Sequence, residues 1–451
     1  QNCVKTPPES DSRDRRLDKI LTGRLGIPAM LLLLGVILWI TMAGANVPSD
    51  LLSKGLFSLG DFLRGHIAPI APAWLTGVLF DIDDLNVEGE QISDFDDYEI
   101  TGDGQTLLIQ TETERIYRHS FTAEFYIYRV KDHLLTKLSA NGPQQVPTFS
   151  PDGRHVAFVR QNNIFITDGT TEKQITADGA FNQIINGIPD WVNEEEFGFS
   201  NAMAWSADGS SLSWIRYDDR EVNTYALQLF KGTHPSMEEF DDYPGSYSYK
   251  YPKAGQQNAI VTAWCYQLST GTTRQYLLPL DADGYIPRIK PSVQPDCIVL
   301  YTMNRHQDCL RLYAASPTTG NCRLLIEEKT DKYIKEEVVE NAIIGKKHIL
   351  LPSDRDGYMH LYLYDLNGKL VRQMEKGNYD VTAVYGFDEE TGNVYVQTAS
   401  PSPMNREVYR VGKNGRKNPE ALFLSYENLY DAAHESWFHG YRLFLSEIYT
   451  V

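Results

Sequence analysis

An all-β fold, a β-propeller preceded by one transmembrane α-helix, is what this sequence predicts, and three observations carry the prediction. From residue 81 onward, short β-rich runs alternate with turn residues and almost no helical periodicity is visible. Within that region one block recurs, at Ile100–Ile109, Phe149–Phe158 and Trp205–Trp214, each with Asp-Gly set between alternating apolar residues. Near the other end, the 25 residues from Leu25 to Ser49 carry no charge at all.

Residues 1–24 form a basic tail, with Arg13, Arg15, Arg16, Lys19 and Arg24 close to the uncharged run. As a helix, residues 25–49 would reach about 37 Å at roughly 1.5 Å per residue, enough to cross a hydrocarbon core of about 30 Å. The positive charges before the run and Asp50 after it place the tail in the cytoplasm and everything beyond residue 50 outside. The chain is thus expected to be a single-pass membrane protein whose membrane partner contacts residues 25–49. Residues 50–80 are amphipathic and then apolar, and too short for a second span; they look like a truncated membrane domain. Composition breaks at this point. Residues 1–80 have no tyrosine and a net charge of +2, whereas the remainder holds all 27 tyrosines and a net charge of -20. Two unlike pieces, 1–80 and 81–451, are expected.

The Asp-Gly pairs at 103, 152 and 208 are spaced by 49 and 56 residues. Asp-Gly supplies the positive φ that a tight turn requires, and a four-stranded unit repeating every 40–50 residues or so marks a propeller blade. At about 50 residues per blade, the 371 residues after position 80 make roughly seven blades, some incomplete. Trp205, Trp214, Tyr126, Tyr128, Tyr362 and Tyr364 are read as rings that fill the space between blades.

Several function classes are excluded or unsupported. The chain of 451 residues has a net charge of -18, which repels nucleic acid. Its five cysteines (Cys3, Cys265, Cys297, Cys309, Cys322) include no C-x-x-C pair. No paired-histidine spacing suggests a metal, and no phosphate-cradling G-x-x-x-x-G-K-[ST] loop occurs, so neither metal nor cofactor is expected. His119, His306 and His360 fall in strand-like contexts and are read as structural.

The most informative stretch is Ile188-Pro-Asp-Trp-Val-Asn-Glu-Glu-Glu-Phe197. Three adjacent carboxylates repel one another unless they face water or a cation. They form either a solvated turn or a receptor for an ammonium group, in which two carboxylates would converge on the free amino terminus of a peptide. An arginine nearby would hold them ionised, and Tyr117-Arg118-His119-Ser120-Phe121-Thr122-Ala123 offers one.

The runs YRHSFTAEFYIY (117–128), NGPQQVPTFSPDG (141–153), NGIPDWVNEEEF (186–197), YKYPKAG (249–255), YIPRIK (285–290) and TMNRHQDCLRLY (302–313) resemble dipeptidyl peptidase IV-type enzymes of the prolyl oligopeptidase family of serine peptidases. The resemblance spans about residues 81–415. It implies an eight-bladed propeller covering an α/β-hydrolase domain and admitting short peptides with a free N-terminus. It also implies that Glu195 and Glu196 bind the substrate ammonium and that Arg118 contacts the carbonyl of the penultimate residue. Asn193 stands where the family usually has an aromatic. Residues 231–250 correspond to an arm used in dimerisation, so a homodimer is a possible partner arrangement. Residues 13–80 resemble instead the membrane entry of bacterial ferrous-iron transport protein B, without its GTPase, and the junction marks the chain as a chimera.

Gly198-Phe-Ser-Asn-Ala202 loosely fits the G-x-S-x-G elbow of a hydrolase, but the following residues read as a strand where an elbow needs a helix. No catalytic residue is therefore assigned, the hydrolase domain is expected to be missing, and the chain is expected to be inactive alone. The leading reading is a substrate-gating propeller that recognises peptide amino termini. A non-enzymatic protein-interaction propeller is the alternative, and an iron-transport fragment the weakest one.

Overall fold

The computed structural model describes residues 94–230 and 243–412, together with parts of 86–92. The chain divides into two units, 1–84 and 85–451. The basic tail, the expected span at 25–49, the segment 50–80 and the arm residues 231–242 lie outside the described residues. Among the described residues no helix is long and apolar enough to cross a membrane, so the helix in the expected fold class gains no support.

Among the described residues, six antiparallel sheets of three or more strands follow one another along the chain, besides two two-stranded pairs. The first holds Asp97–Ile100, Thr106–Arg115, Phe121–Arg129 and Leu134–Lys137, and the second runs from Gln145–Phe149 to Glu172–Gln174. In the third, Ile184–Asn186 and Met203–Trp205 both pair with Ser211–Asp218, which in turn pairs with Ile260–Gln267. The fourth and fifth are four-stranded meanders starting at Tyr285–Pro291 and Ile343–Ile344; the sixth has three strands, Val381–Asp388, Asn393–Thr398 and Glu407–Val411. This is the serial, blade-by-blade arrangement of a propeller. Six blades are seen among the described residues, where seven to eight were expected over 81–451.

The core lies between successive sheets. Phe125 and Ile127 of the first sheet pack with Val156 and Phe158 of the second. Val159 and Ile164 meet Trp214 and Ile215 of the third sheet, which meet Ile286 and Leu300 of the fourth. Tyr301 and Leu312 then join Leu351 and Tyr362 of the fifth, and Leu350 and Leu363 join Val394 and Val396 of the sixth. A blade buries both faces because each face meets a neighbour, so inner strands such as Val156–Arg160 and Ile298–Met303 are nearly continuous apolar runs. Trp205, Trp214, Tyr128, Tyr362 and Tyr364 are buried as expected, and Tyr126 is half-buried.

The repeated block is one turn used three times. Gly104, Gly153 and Gly209 have φ of 68°, 67° and 66°. Each donates its N–H to the carbonyl three residues back, at Thr101, Ser150 and Ser206. The aspartate before each glycine accepts from the hydroxyl of that same residue and from the N–H of Gln105, Arg154 or Ser210. The side chain thus completes the turn that the glycine's positive φ permits. His119 and His306, expected in strands, lie in turns instead; His360 begins a strand, with Nδ1 2.9 Å from the Asp356 carboxylate.

Candidate functional site

Two excursions and one short helix leave the blades close together. A hairpin tip, 116–120, joins Thr106–Arg115 to Phe121–Arg129 and is closed by Ile116 N–H donating to the Ser120 carbonyl at 2.9 Å. The second excursion is a two-stranded arm, Thr224–Leu229 paired with Gly245–Lys250, inserted between two strands of the third sheet. Helix α1, Trp191–Phe197, interrupts the same sheet.

Seven residues are too few for a helix to be stable by itself, so α1 is held at its ends and on its faces. Asp190 is the N-cap: its Oδ1 accepts from the Asn193 N–H at 2.8 Å and from Asn193 Nδ2 at 2.7 Å. Gly198, at φ 62°, ends the helix and donates to the Glu194 carbonyl. Phe197 anchors the far end in the core between the fourth and fifth sheets. Trp191 stacks on Tyr251 at 4.5 Å and leans on Tyr249 at 5.2 Å. Tyr247 and Tyr249 of the arm continue the aromatic row to Tyr117 of the hairpin tip, whose hydroxyl lies 3.4 Å from that of Tyr247. Burial, then the contact with Tyr247, raises the Tyr117 hydroxyl far above its ordinary value, so it stays protonated.

The helix also sorts the three glutamates, of which the resemblance singles out Glu195 and Glu196. Successive helical residues point about 100° apart. Glu194 turns inward, is 1% exposed, and its Oε1 accepts from the backbone N–H groups of His119 at 2.9 Å and Ser120 at 2.7 Å. Glu195 lies at the flank, its carboxylate 3.0 Å from Arg118 Nε. Glu196 is exposed. The structure therefore brings Arg118 and Glu195 together and sets Glu196 beside them on the solvent side. Glu194 is the member of the triplet that clasps the Arg118 loop to the helix, a role that sequence reasoning missed. Asn193 meets the cap through its backbone N–H and Nδ2, a contact that the aromatic expected at this position could not make, while its Oδ1 stays buried without a partner among the described residues. The aromatic row was also missed, although Tyr247, Tyr249 and Tyr251 alternate at period two and must share one strand face.

Magnitudes separate the two carboxylates. Hydrogen bonds from buried N–H groups to an ionised acceptor contribute about 1.5–3 kcal/mol each. An ion pair whose arginine is 73% exposed contributes at most about 1 kcal/mol. Glu194 is thus placed for structure, whereas Arg118 and Glu195 add little to stability and present charge to whatever enters.

Ser200, the loose elbow match, is followed by the strand Met203–Trp205 and lacks the helix an elbow requires.

Serial antiparallel blades of this kind define a β-propeller. Its particular family follows from comparison. The sequence pattern of the dipeptidyl peptidase IV (DPP IV) N-terminal region matches residues 101–439, and the chain belongs to that family. Dipeptidyl peptidase 4 of Trichophyton rubrum is 28% identical over 328 residues, covering 70% of this chain and 41% of its own length. Probable dipeptidyl-aminopeptidase B of Tuber melanosporum is 29% identical over 452 residues, covering 91% of this chain and 48% of its own. The crystal structure of Porphyromonas gingivalis dipeptidyl peptidase 4 superposes with a TM-score of 0.69 at 39% identity, over 74% of this chain and 46% of that one. A putative dipeptidyl aminopeptidase IV from Bacteroides ovatus, 20% identical with a TM-score of 0.57, shares the fold over 74% of this chain and 47% of its own. The chain spans less than half the length of each of these relatives. The iron-transport reading of residues 13–80, and the chimera built on it, gains no support from any of these matches.

Proposed function

We propose that this chain is the peptide-recognising and access-controlling propeller of a dipeptidyl peptidase IV-like serine exopeptidase. Glu195 and Glu196 would receive the ammonium group of a free peptide amino terminus, and Arg118 a backbone carbonyl near it. The chemistry would belong to an α/β-hydrolase domain working against the propeller. The observation that carries the reading is the Arg118–Glu195 pair, formed between a hairpin tip and a helix and presented at the surface. Charge-assisted hydrogen bonds to an ammonium need carboxylate acceptors, and Glu195 and Glu196 offer two side by side on α1.

Calorimetric titration with Ala-Pro-Ala and with its N-acetylated twin tests this. The free peptide should bind at least about tenfold more tightly, a difference of about 1.4 kcal/mol, and Glu195→Gln with Glu196→Gln should erase the preference. Equal binding of both peptides would reject the proposal. The arm favours a second role in self-association, because Tyr225, Leu227, Phe230 and Tyr243 are exposed on or beside its strands. Sedimentation of Leu227→Asp against the parent chain decides between a dimer and a monomer.

A further inference from the structure

Beneath α1 lies a group of polar side chains that the recognition site does not use. Asp190, the N-cap, is 4% exposed, and Asp219, in the turn after Ser211–Asp218, is 2% exposed. Their carboxyl groups are in hydrogen-bonding contact with each other. Asp219 Oδ1 is buried and meets no N–H or O–H donor. Two carboxylates cannot hydrogen-bond unless one keeps a proton, and two unprotonated acids in a dry site repel each other strongly.

The surroundings do not offer a cation to replace that proton. From α1 comes Glu194, a further negative charge; from Ser211–Asp218 come Tyr217, whose buried hydroxyl has no partner, and Asp218, which is already paired with Arg220 and Arg216. Lys250 of the arm attracts Asp219, but its Nζ donates to the carbonyls of Val222 at 2.7 Å and Arg220 at 3.3 Å. Arg288 of the fourth sheet acts on Tyr217 and not on the acids. Backbone bonds hold Asp219 rigidly: its N–H donates to the Gln183 carbonyl at 2.7 Å, and its carbonyl accepts from Val222 at 3.0 Å.

We propose that Asp219 is a positioning residue: it shares one proton with Asp190 and, through the Asp190 cap, fixes the helix that carries Glu195 and Glu196. The inference rests on the peptide-recognition reading for its consequence, though not for its geometry. The chain of contact is short. Asp219 holds Asp190, Asp190 Oδ1 holds the Asn193 backbone, and the next two residues are the clasp Glu194 and the recognition carboxylate Glu195. Burial, followed by the charge of Asp190, pushes the Asp219 carboxyl up to about 9, so the proton is retained at neutral pH and given up in alkali.

Two substitutions separate the shared proton from mere bulk. Asp219→Asn supplies a permanent donor to Asp190, and Asp219→Leu supplies none. Losing the support of a helix cap is expected to weaken Ala-Pro-Ala binding about five- to tenfold in Asp219→Leu, whereas Asp219→Asn stays within about twofold of the parent at neutral pH. Binding to both chains falls above about pH 8 as the peptide's own amino group deprotonates. The parent should fall further than Asp219→Asn as pH passes about 9, because only the parent loses its bridging proton. Identical pH profiles for parent and Asp219→Asn would overturn the proposal, and so would unchanged binding by Asp219→Leu. Should the parent show no preference for the free peptide, the recognition reading fails, and amide hydrogen exchange judges the positioning role alone. The amides of Asn193 and Gly198 should then exchange faster in the parent above about pH 9 and not in Asp219→Asn; equal exchange in both would sink it.

Discussion

The propeller buries carboxylates in two contrasting ways. Within the second sheet, half-buried Glu172 meets a guanidinium: Arg160 donates to it at 2.5 and 3.2 Å, while Ser139 and Asn141, from the link that follows the first sheet, donate at 2.5 and 3.2 Å. Under α1, the carboxyl of Asp219 faces a second acid, Asp190. Burial alone would raise both acids, but hydrogen bonds from Arg160 and Ser139 outweigh it at Glu172 and hold that carboxyl below its ordinary range. At Asp219 nothing outweighs it. The first acid is a charged rivet that ties the link at 139–141 to the second sheet, and the second is an acid kept neutral so that it can donate. Glu172 is half-buried with a cation beside it and Asp219 is fully buried beside a second acid, so depth and neighbour together set opposite protonation.

The largest expected effect is the response of the second region to pH. An unfolded aspartate titrates near 3.8, whereas Asp219 in the folded chain holds its proton to about 9. Over that window the folded state binds more protons, so this group's stabilising contribution is complete below 3.8 and is lost as pH rises to about 9. The slope for one proton is about 1.4 kcal/mol per pH unit. Asp219→Asn removes the titration. The denaturation midpoint of the variant relative to the parent should therefore climb steadily from acid to about pH 9, with the variant the more stable chain at neutral pH. A constant difference across that range would show that the two acids do not share a proton.

Next comes the rivet. Arg160 also lies over the Phe165 ring at 4.1 Å, so its loss removes packing as well as charge. Arg160→Ala leaves half-buried Glu172 without its cation and should cost about 2 kcal/mol. Because the Glu172 carboxyl would then rise, the penalty should shrink on acidification, the reverse of the trend at Asp219. Denaturant unfolding at two pH values checks both the size and the sign.

Glu194 tests whether a buried acid held only by backbone donors behaves like the rivet. Glu194→Ala orphans the Ser120 N–H in a buried position and should cost about 2 kcal/mol. It should also free the Arg118 loop, which proteolysis within 116–120 would report. Unaltered proteolysis with unaltered stability would mean that the loop is held by its own hairpin and the aromatic row.

These acids also show where sequence reading runs out. The blades were legible because Asp-Gly turns recur and apolar residues alternate, both local signals. Arg118 and Glu195 were legible because they lie in long runs shared with a known family. The division of labour within Glu194-Glu195-Glu196 was not, because three identical residues reveal nothing until the phase of the helix is known, and Asn193 does not advertise a helix. Asp219 was invisible for a different reason. Within Tyr217-Asp218-Asp219-Arg220 it looks like one more solvated acid, and only the fold brings it to Asp190, in another segment of the chain. Local chemistry is written in sequence, whereas the protonation of a buried acid depends on a partner that tertiary structure supplies.

The smallest effect on stability belongs to Arg118, and it sharpens the contrast most. Its side chain is 73% exposed, so solvent screens the pair with Glu195, and Arg118→Ala should cost less than about 1 kcal/mol. Binding of Ala-Pro-Ala should nonetheless weaken about tenfold, since the proposed contact between the guanidinium and the ligand is lost. Arg118→Lys should restore the charge without the planar donor array and recover only part of the loss. Raising salt should weaken the parent's binding and leave its unfolding midpoint nearly unchanged, because exposed charges are screened while the buried acids are not. If Arg118→Ala destabilised the chain as much as Glu194→Ala does, the pair would be structural, and the division between acids that hold the fold and acids that meet the ligand would collapse.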